Sequence, residues 1–265
     1  MCRLLAYIGD SIQLDRILIE PEHSLIKQSY QPQEMTAGLL NADGFGVGWY
    51  DKKSEDRPYI YRNVLPIWND VNLPQLARYI KSKSYLGYVR SATSSLSIDT
   101  INCQPFSHRN LLFVHNGFID DFRNTLFRPI KESLGDTAYK NIFGTTDSEH
   151  IFASIVDEIE KNQDISLKEA LHNTINKLCA LAKPDNIGFS ANVALSDGKE
   201  TIACRYSNRD GKDTPTLYYT KNDSQYPNAV IVASEPMFEG DWISCPKKSI
   251  ISVTEDLEIS VHSLS

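Results

Sequence analysis

Two helix signals sit together in the middle of the chain, and strand-like segments crowd both sides of them. Thr146-Asp147-Ser148-Glu149 reads as a capping box, in which a hydroxyl and a carboxylate three residues apart satisfy each other's orphan backbone N–H groups. Ile151, Phe152, Ile155, Val156 and Ile159 then share one face at helical period. Ser166-Leu167-Lys168-Glu169 repeats the signal ahead of Leu171, Ile175, Leu178 and Leu181. Runs rich in Val, Ile, Tyr and Phe lie before the helices at 3–8, 46–50, 59–65, 85–91 and 111–115. They return after the helices at 190–195, 201–206, 217–220, 229–233, 250–253 and 259–262. Short spacings and turn residues at 196–198 and 208–211 make most neighbours antiparallel hairpins. Shorter helices are expected over 14–20 and from Pro74 to about Lys81. Strands, helices, then strands imply an α+β fold, two mostly antiparallel sheets with helices outside them, and not a doubly wound parallel sheet. No internal repeat or long linker divides the 265 residues, so one domain over 1–265 is expected.

Charge and cysteine usage narrow the function. The net charge is -7 and no stretch gathers enough Lys and Arg to neutralise several phosphates, which argues against a nucleic-acid partner. The first apolar run, Leu4 to Ile8, is too short for a signal peptide, and no later run reaches the roughly 18 residues of a membrane span. A cytoplasmic protein with no membrane partner is expected. The five cysteines include no C-x-x-C pair, and His108 and His115 lack ligand spacing, so neither a disulfide framework nor a metal site is expected.

Four features carry candidate chemistry. Cys2 becomes the first residue once a methionine aminopeptidase removes Met1, and would then hold a thiol nucleophile and a free α-amine base on one residue. The competing reading is a chance cysteine. Phe113-Val114-His115-Asn116-Gly117 ends an apolar strand in Asn-Gly, either a hairpin turn or a pair of donors for an oxyanion. Arg90, near the end of the strand 85–91, is either an ion-pair residue or a fork for a substrate carboxylate. Asp147 is favoured in a first helical turn by the macrodipole whatever else it does. The glycine-rich 41–50 lacks both dinucleotide and Walker spacing and reads as a pocket-wall loop and hairpin.

Taken in order, M-C-R-L-L-A-Y, D-G-F-G-V-G-W, V-R-S-A-T, Q-P-F, V-H-N-G, T-T-D-S-E, A-L-S-D-G and A-S-E-P resemble the class II glutamine amidotransferases, which are N-terminal-nucleophile (Ntn) hydrolases. The resemblance runs from Cys2 to about Pro236. The R-S-A-T is similar to that of stand-alone members, including γ-glutamyl amidohydrolases of ergothioneine biosynthesis; synthase-fused members usually have Trp where Ser91 stands. The resemblance implies a four-layer αββα sandwich. It also implies that Cys2 is the nucleophile, that Asn116 and Gly117 form the oxyanion hole, and that Arg90 and Asp147 bind the α-carboxylate and α-ammonium of a glutamyl group, with Thr93 on the carboxylate side. The implied activity is cofactor-free cleavage of a small-molecule γ-glutamyl amide through a Cys2 thioester. A catalytically silent, γ-glutamyl-binding regulator of another enzyme is the competing expectation. Little chain follows Pro236, so an ammonia acceptor is expected to be a separate enzyme acting in trans. The leaving amine, and the choice between monomer and homodimer, stay open.

Overall fold

Alternation along the strands dictates the layering. In β1 (Arg3–Gln13), Leu5 and Tyr7 point one way while Leu4, Ala6 and Ile8 point the other, and all five are buried. A strand apolar on both faces needs cover on both. The computed structural model, which describes residues 1–35, 38–51, 54–92, 99–209 and 214–264, supplies it with two antiparallel sheets. The first sheet is ordered β11 (Ile243–Ser244), β9 (Tyr218–Asp223), β10 (Tyr226–Ala233), β1, β4 (Lys81–Val89), β2 (Phe45–Trp49), β3 (Tyr59–Asn63). The second is ordered β13 (Ile259–Ser263), β12 (Ser249–Val253), β8 (Thr201–Ser207), β7 (Phe189–Ser196), β6 (Leu111–Ile119), β5 (Phe106–His108).

Three apolar cores separate four layers. Leu5, Tyr7, Tyr85 and Ile231 pack outward against α1 (Leu14–Leu18), α2 (Leu25–Tyr30) and α3 (Leu73–Tyr79). Phe113, Val193 and Ile202 pack outward on the other side against α4 (Phe127–Glu132), α5 (Asp136–Lys140), α6 (Asp147–Lys161) and α7 (Leu167–Ala182). Between the sheets lie Cys2, Leu4, Ala6, Leu86, Tyr88, Leu112, Val114, Ala194 and Val232. The order of layers is therefore αββα, as expected from the resemblance.

The departures from the sequence reading are local. The first strand continues to Gln13 across a register shift between Ile8 and Ile12, and the strand expected at 85–91 begins at Lys81, so the helix from Pro74 ends at Tyr79. Ser166 and Glu169 close their capping box in full. Thr146 caps α6 by accepting from Glu149 N–H at 3.2 Å, but the Glu149 carboxylate turns to the N–H groups of Phe143 and Gly144 and leaves that box half made. Helices α2, α4 and α5 were not foreseen; each is six residues or fewer, too short to show a clear period. Among the described residues, no helix is long and apolar enough to cross a membrane.

Candidate active site

Cys2 immediately precedes β1 and faces the space between the sheets, with 9% of its surface exposed. Ser91 N–H donates to its sulfur at 3.4 Å, and the thiol reaches the Ser91 carbonyl at 3.6 Å. One residue on, the strand pleat sends Arg3 to the opposite face, where its Nε pairs with the fully buried Glu235 at 2.7 Å and its Nη1 donates to the Cys2 carbonyl at 2.8 Å. Glu235 also bonds the His23 ring at 2.7 Å and accepts the N–H groups of Gln33 and Glu34 at 2.8 and 3.0 Å. Burial alone would raise the Glu235 pKa, but the His23 bond, the Arg3 charge and the two backbone donors outweigh it and hold the carboxyl at about 2. The backbone of the candidate nucleophile is thus anchored by a buried ion pair.

That anchor sets a stability expectation. Glu235→Gln leaves the Arg3 guanidinium buried without its counter-charge and should destabilise the fold by about 3–5 kcal/mol in denaturant titrations. A carboxyl whose folded pKa is depressed contributes stability that is present above its unfolded pKa and lost as pH falls through the folded value. The wild-type advantage over the variant should therefore be complete near neutral pH and shrink as pH drops from about 4.5 towards 2.

The edge of β6 forms the next element. Asn-Gly makes no turn: β6 runs through Asn116 and Gly117 to Ile119 and pairs with β7 along its length, with Gly117 opposite Ala191. The hairpin alternative is overturned by this long-range pairing. On the edge facing away from β7, His115 N–H donates to Gln104 Oε1 at 2.5 Å and Ile119 N–H donates to Asp147 Oδ2 at 2.9 Å. Gly117 lies between them with the same strand parity, so its N–H points out along that edge, into the cavity that Cys2 lines. Gln104 Nε2 also donates to the His115 carbonyl at 3.2 Å, so its side chain continues the sheet where β5 has ended.

The ring of His115 supports this edge from below. Its Nε2 donates to the Ser190 carbonyl at 3.1 Å, which leaves Nδ1 to accept from the Ser148 hydroxyl at 2.8 Å. Burial pushes the ring's pKa down, against the pull of the Asp147 charge and the Ser190 carbonyl. A Cβ on Gly117 would collide with both the Ser190 carbonyl oxygen and His115 Nε2, so only glycine fits.

Arg90 approaches from the end of a strand of the first sheet and Asp147 from the first turn of α6. Arg90 follows β4, is 3% exposed, and is held by a backbone clasp: its N–H donates to the Gly44 carbonyl at 2.8 Å, and Asp43 N–H donates to its own carbonyl at 3.1 Å. Gly44 adopts a φ of +110° in that clasp, and a Cβ there would meet the Cys103 sulfur at 2.5 Å. The glycine-rich loop, expected to form a pocket wall, instead lies behind the cavity lining and holds the backbone of Arg90, which does line it. Asp147 opens α6 and is half-buried; its Oδ1 accepts Ser148 N–H at 2.8 Å while its Oδ2 ties the helix to the end of β6. Tyr88 lines the same cavity as Cys2, and its phenol is pushed well up by burial first and by the neighbouring Cys2 second.

Cys2, Arg90, Gly117 and Asp147 thus line one narrow cavity, together with Ser91, Gln104 and Ser148. Asn116 lies at the inner face of the same β6 segment, 1% exposed. Thr93 lies outside the described residues. Gln104, His115 and Ser148 were not assigned roles from sequence, although all three stand inside motifs already noted, Q-P-F, V-H-N-G and T-T-D-S-E. A larger cavity of about 660 Å³ opens around Ser11, Lys81 and Ser84 and contains none of these groups. Among the described residues no cluster of three His, Cys, Asp or Glu side chains could hold a metal ion.

Comparisons with known proteins bear on the family and the fold. A family model described as class II glutamine amidotransferases matches residues 1–234. A probable glutamine amidotransferase, DUG3, of Saccharomyces cerevisiae is 31% identical over 96% of this chain and 82% of its own. A γ-glutamyl-hercynylcysteine sulfoxide hydrolase of Mycolicibacterium smegmatis is 36% identical, with 96% of each chain covered. A solved class II glutamine aminotransferase domain protein from Silicibacter pomeroyi superposes with a TM-score of 0.71 at 25% identity over 99% of both chains.

Proposed function

The chain belongs to the class II glutamine amidotransferases and is an Ntn-type amidohydrolase, and from that premise we propose the roles of its residues and its substrate. Residues 1–265 act as one cytoplasmic domain that cleaves a γ-glutamyl amide. Removal of Met1 frees the Cys2 α-amine in a setting where burial already lowers the pKa of the Met1 amine, with the nearby Arg3 charge adding to the effect and the Cys2 charge opposing it. The amine takes the thiol proton, and the thiolate attacks the γ-carbonyl. The Gly117 N–H and the Asn116 carboxamide receive the developing oxyanion. Collapse expels the amine, which leaves with the proton, and a γ-glutamyl thioester remains on Cys2. Water then releases glutamate and restores the thiol.

The observation that carries this reading is the convergence in one cavity of a sulfur, an outward backbone N–H, a buried guanidinium and a half-buried carboxylate. The guanidinium and the carboxylate have the charges needed to hold the α-carboxylate and α-ammonium of a glutamyl head group. The relatives' names span two leaving groups, ammonia from glutamine and a larger amine from a γ-glutamyl conjugate. A screen of glutamate release from L-glutamine, γ-glutamylcysteine and other γ-glutamyl amides tests the activity and separates the two. Turnover of glutamine at rates like those of the conjugates would point to an ammonia-accepting enzyme in trans.

Head-group binding has a separate check. Asp147→Asn and Arg90→Lys should each lower kcat/KM for a γ-glutamyl amide by about 10- to 100-fold, since a hydrogen bond to a charged partner contributes about 1.5–3 kcal/mol. An analogue lacking the α-amine should be nearly indifferent to Asp147→Asn, and one lacking the α-carboxylate to Arg90→Lys. Equal losses across all three ligands would mean that these residues only hold the fold.

A further inference from the structure

The A-S-E-P segment contributes two adjacent residues whose side chains point to opposite faces at the end of β10. Glu235 anchors Arg3 on the outer face, as described. Ser234 faces the space between the sheets and is 0% exposed. Its Oγ accepts Leu4 N–H at 3.0 Å, two residues from the nucleophile, and its own N–H donates to the Leu4 carbonyl at 3.0 Å. The same Oγ stands 3.4 Å from the Asn116 carboxamide, the other half of the oxyanion pair.

A carboxamide can meet this hydroxyl in two ways, related by a half-turn of its end. With Nδ2 towards Ser234 Oγ, the contact is long, and Oδ1 is buried without a hydrogen-bond partner among the described residues. The Ser234 hydroxyl, already accepting from Leu4, then has its proton unused by Asn116. With Oδ1 towards Ser234, that proton is donated to Oδ1, the orphan acceptor is satisfied, and Nδ2 becomes the end turned away from Ser234. A buried acceptor left without a donor is costly, which favours the second arrangement.

We propose that Ser234 is a positioning residue, whose hydroxyl fixes the Asn116 carboxamide with its NH₂ presented to the reacting carbonyl. This rests on the oxyanion role given to Asn116 above. One serine then couples the start of the nucleophile's strand to the oxyanion donor on the facing sheet, so the two reacting elements keep register with each other. No covalent step involves Ser234.

The test uses the mature full chain with L-γ-glutamyl-p-nitroanilide and L-glutamine as probes. Asn116→Ala should lower kcat by about 10²- to 10³-fold with little change in KM, because the oxyanion contact develops only in the transition state. Ser234→Ala should lower kcat by about 10- to 100-fold, again with KM little changed, and Ser234→Thr should recover most of it. The double variant should match Asn116→Ala within about threefold, since the serine acts through the asparagine. An unchanged kcat in Ser234→Ala, or a loss that multiplies in full on top of Asn116→Ala, overturns the proposal while leaving the amidohydrolase reading intact. Absence of any Cys2-dependent glutamate release from the wild type would instead sink that reading. A neutron structure of the deuterated wild type decides the orientation without turnover or variants: a deuteron on the line from Ser234 Oγ to Asn116 Oδ1 supports it, and a deuteron elsewhere overturns it.

Discussion

Cys2→Ala should abolish glutamate release, a loss of about 10⁴- to 10⁶-fold in kcat, while the fold stays intact. The size follows from the chemistry: without a thiol no acyl intermediate forms, and the oxyanion donors and head-group contacts that remain can only assist attack by water. The fold should tolerate the change because Cys2 sits ahead of β1, not within its pairing, and the Arg3 contact at this residue is to its backbone carbonyl. None of the other four thiols can substitute. Cys103, Cys204 and Cys245 have their pKa values raised by burial first, those of Cys204 and Cys245 to the top of the thiol range or beyond, and Cys179 lies behind the second sheet on α7. Full activity in a Cys2→Ala preparation free of wild type would end the Ntn assignment for this site.

Gly117→Ala should be nearly as damaging for a different reason. The added methyl collides with the Ser190 carbonyl and the His115 ring, so either β7 or the ring must move. Moving the ring breaks its bonds to Ser148 and Ser190; moving β7 rotates the Gly117 N–H out of the cavity. Overpacking of this kind costs about 1–3 kcal/mol of stability, and loss of one oxyanion donor costs about 10²- to 10³-fold in kcat. Measured together, a lowered kcat at near-constant KM with a modest fall in Tm is the expected pair. A fall in Tm with kcat preserved would show that the Gly117 N–H is not used.

How much of this was legible in the sequence depends on how far apart the partners are in the chain. The α+β class, the two long helices and most strand positions follow from periodicity that is local and strong, as in the apolar face from Ile151 to Ile159. Cys2 could be singled out because the chemistry proposed for it follows from its place next to Met1, and the structure puts it in the cavity. Asn116-Gly117 was ambiguous because local statistics favour a turn, and only pairing with β7, some 75 residues away, carries β6 straight through. The ordered resemblance of motifs broke that tie. Asp147 shows a similar limit. Its place in the first helical turn was visible, but its bond to Ile119 N–H, which joins α6 to the end of β6, was not. Gln104 replacing a strand, the buried His115 beneath Gly117, and Ser234 beside Asn116 all depend on which sheet edges meet, and no short window of sequence encodes that.

The most direct measurement is the intact mass and peptide map of the wild-type chain, acid-quenched during turnover of a γ-glutamyl amide. The expected species lacks Met1 and carries one γ-glutamyl group on the peptide beginning at Cys2, in an amount that falls to zero when the substrate is exhausted. Steady glutamate release from a chain that retains Met1, or a γ-glutamyl group found on Cys103 or Cys204 and none on Cys2, would contradict it.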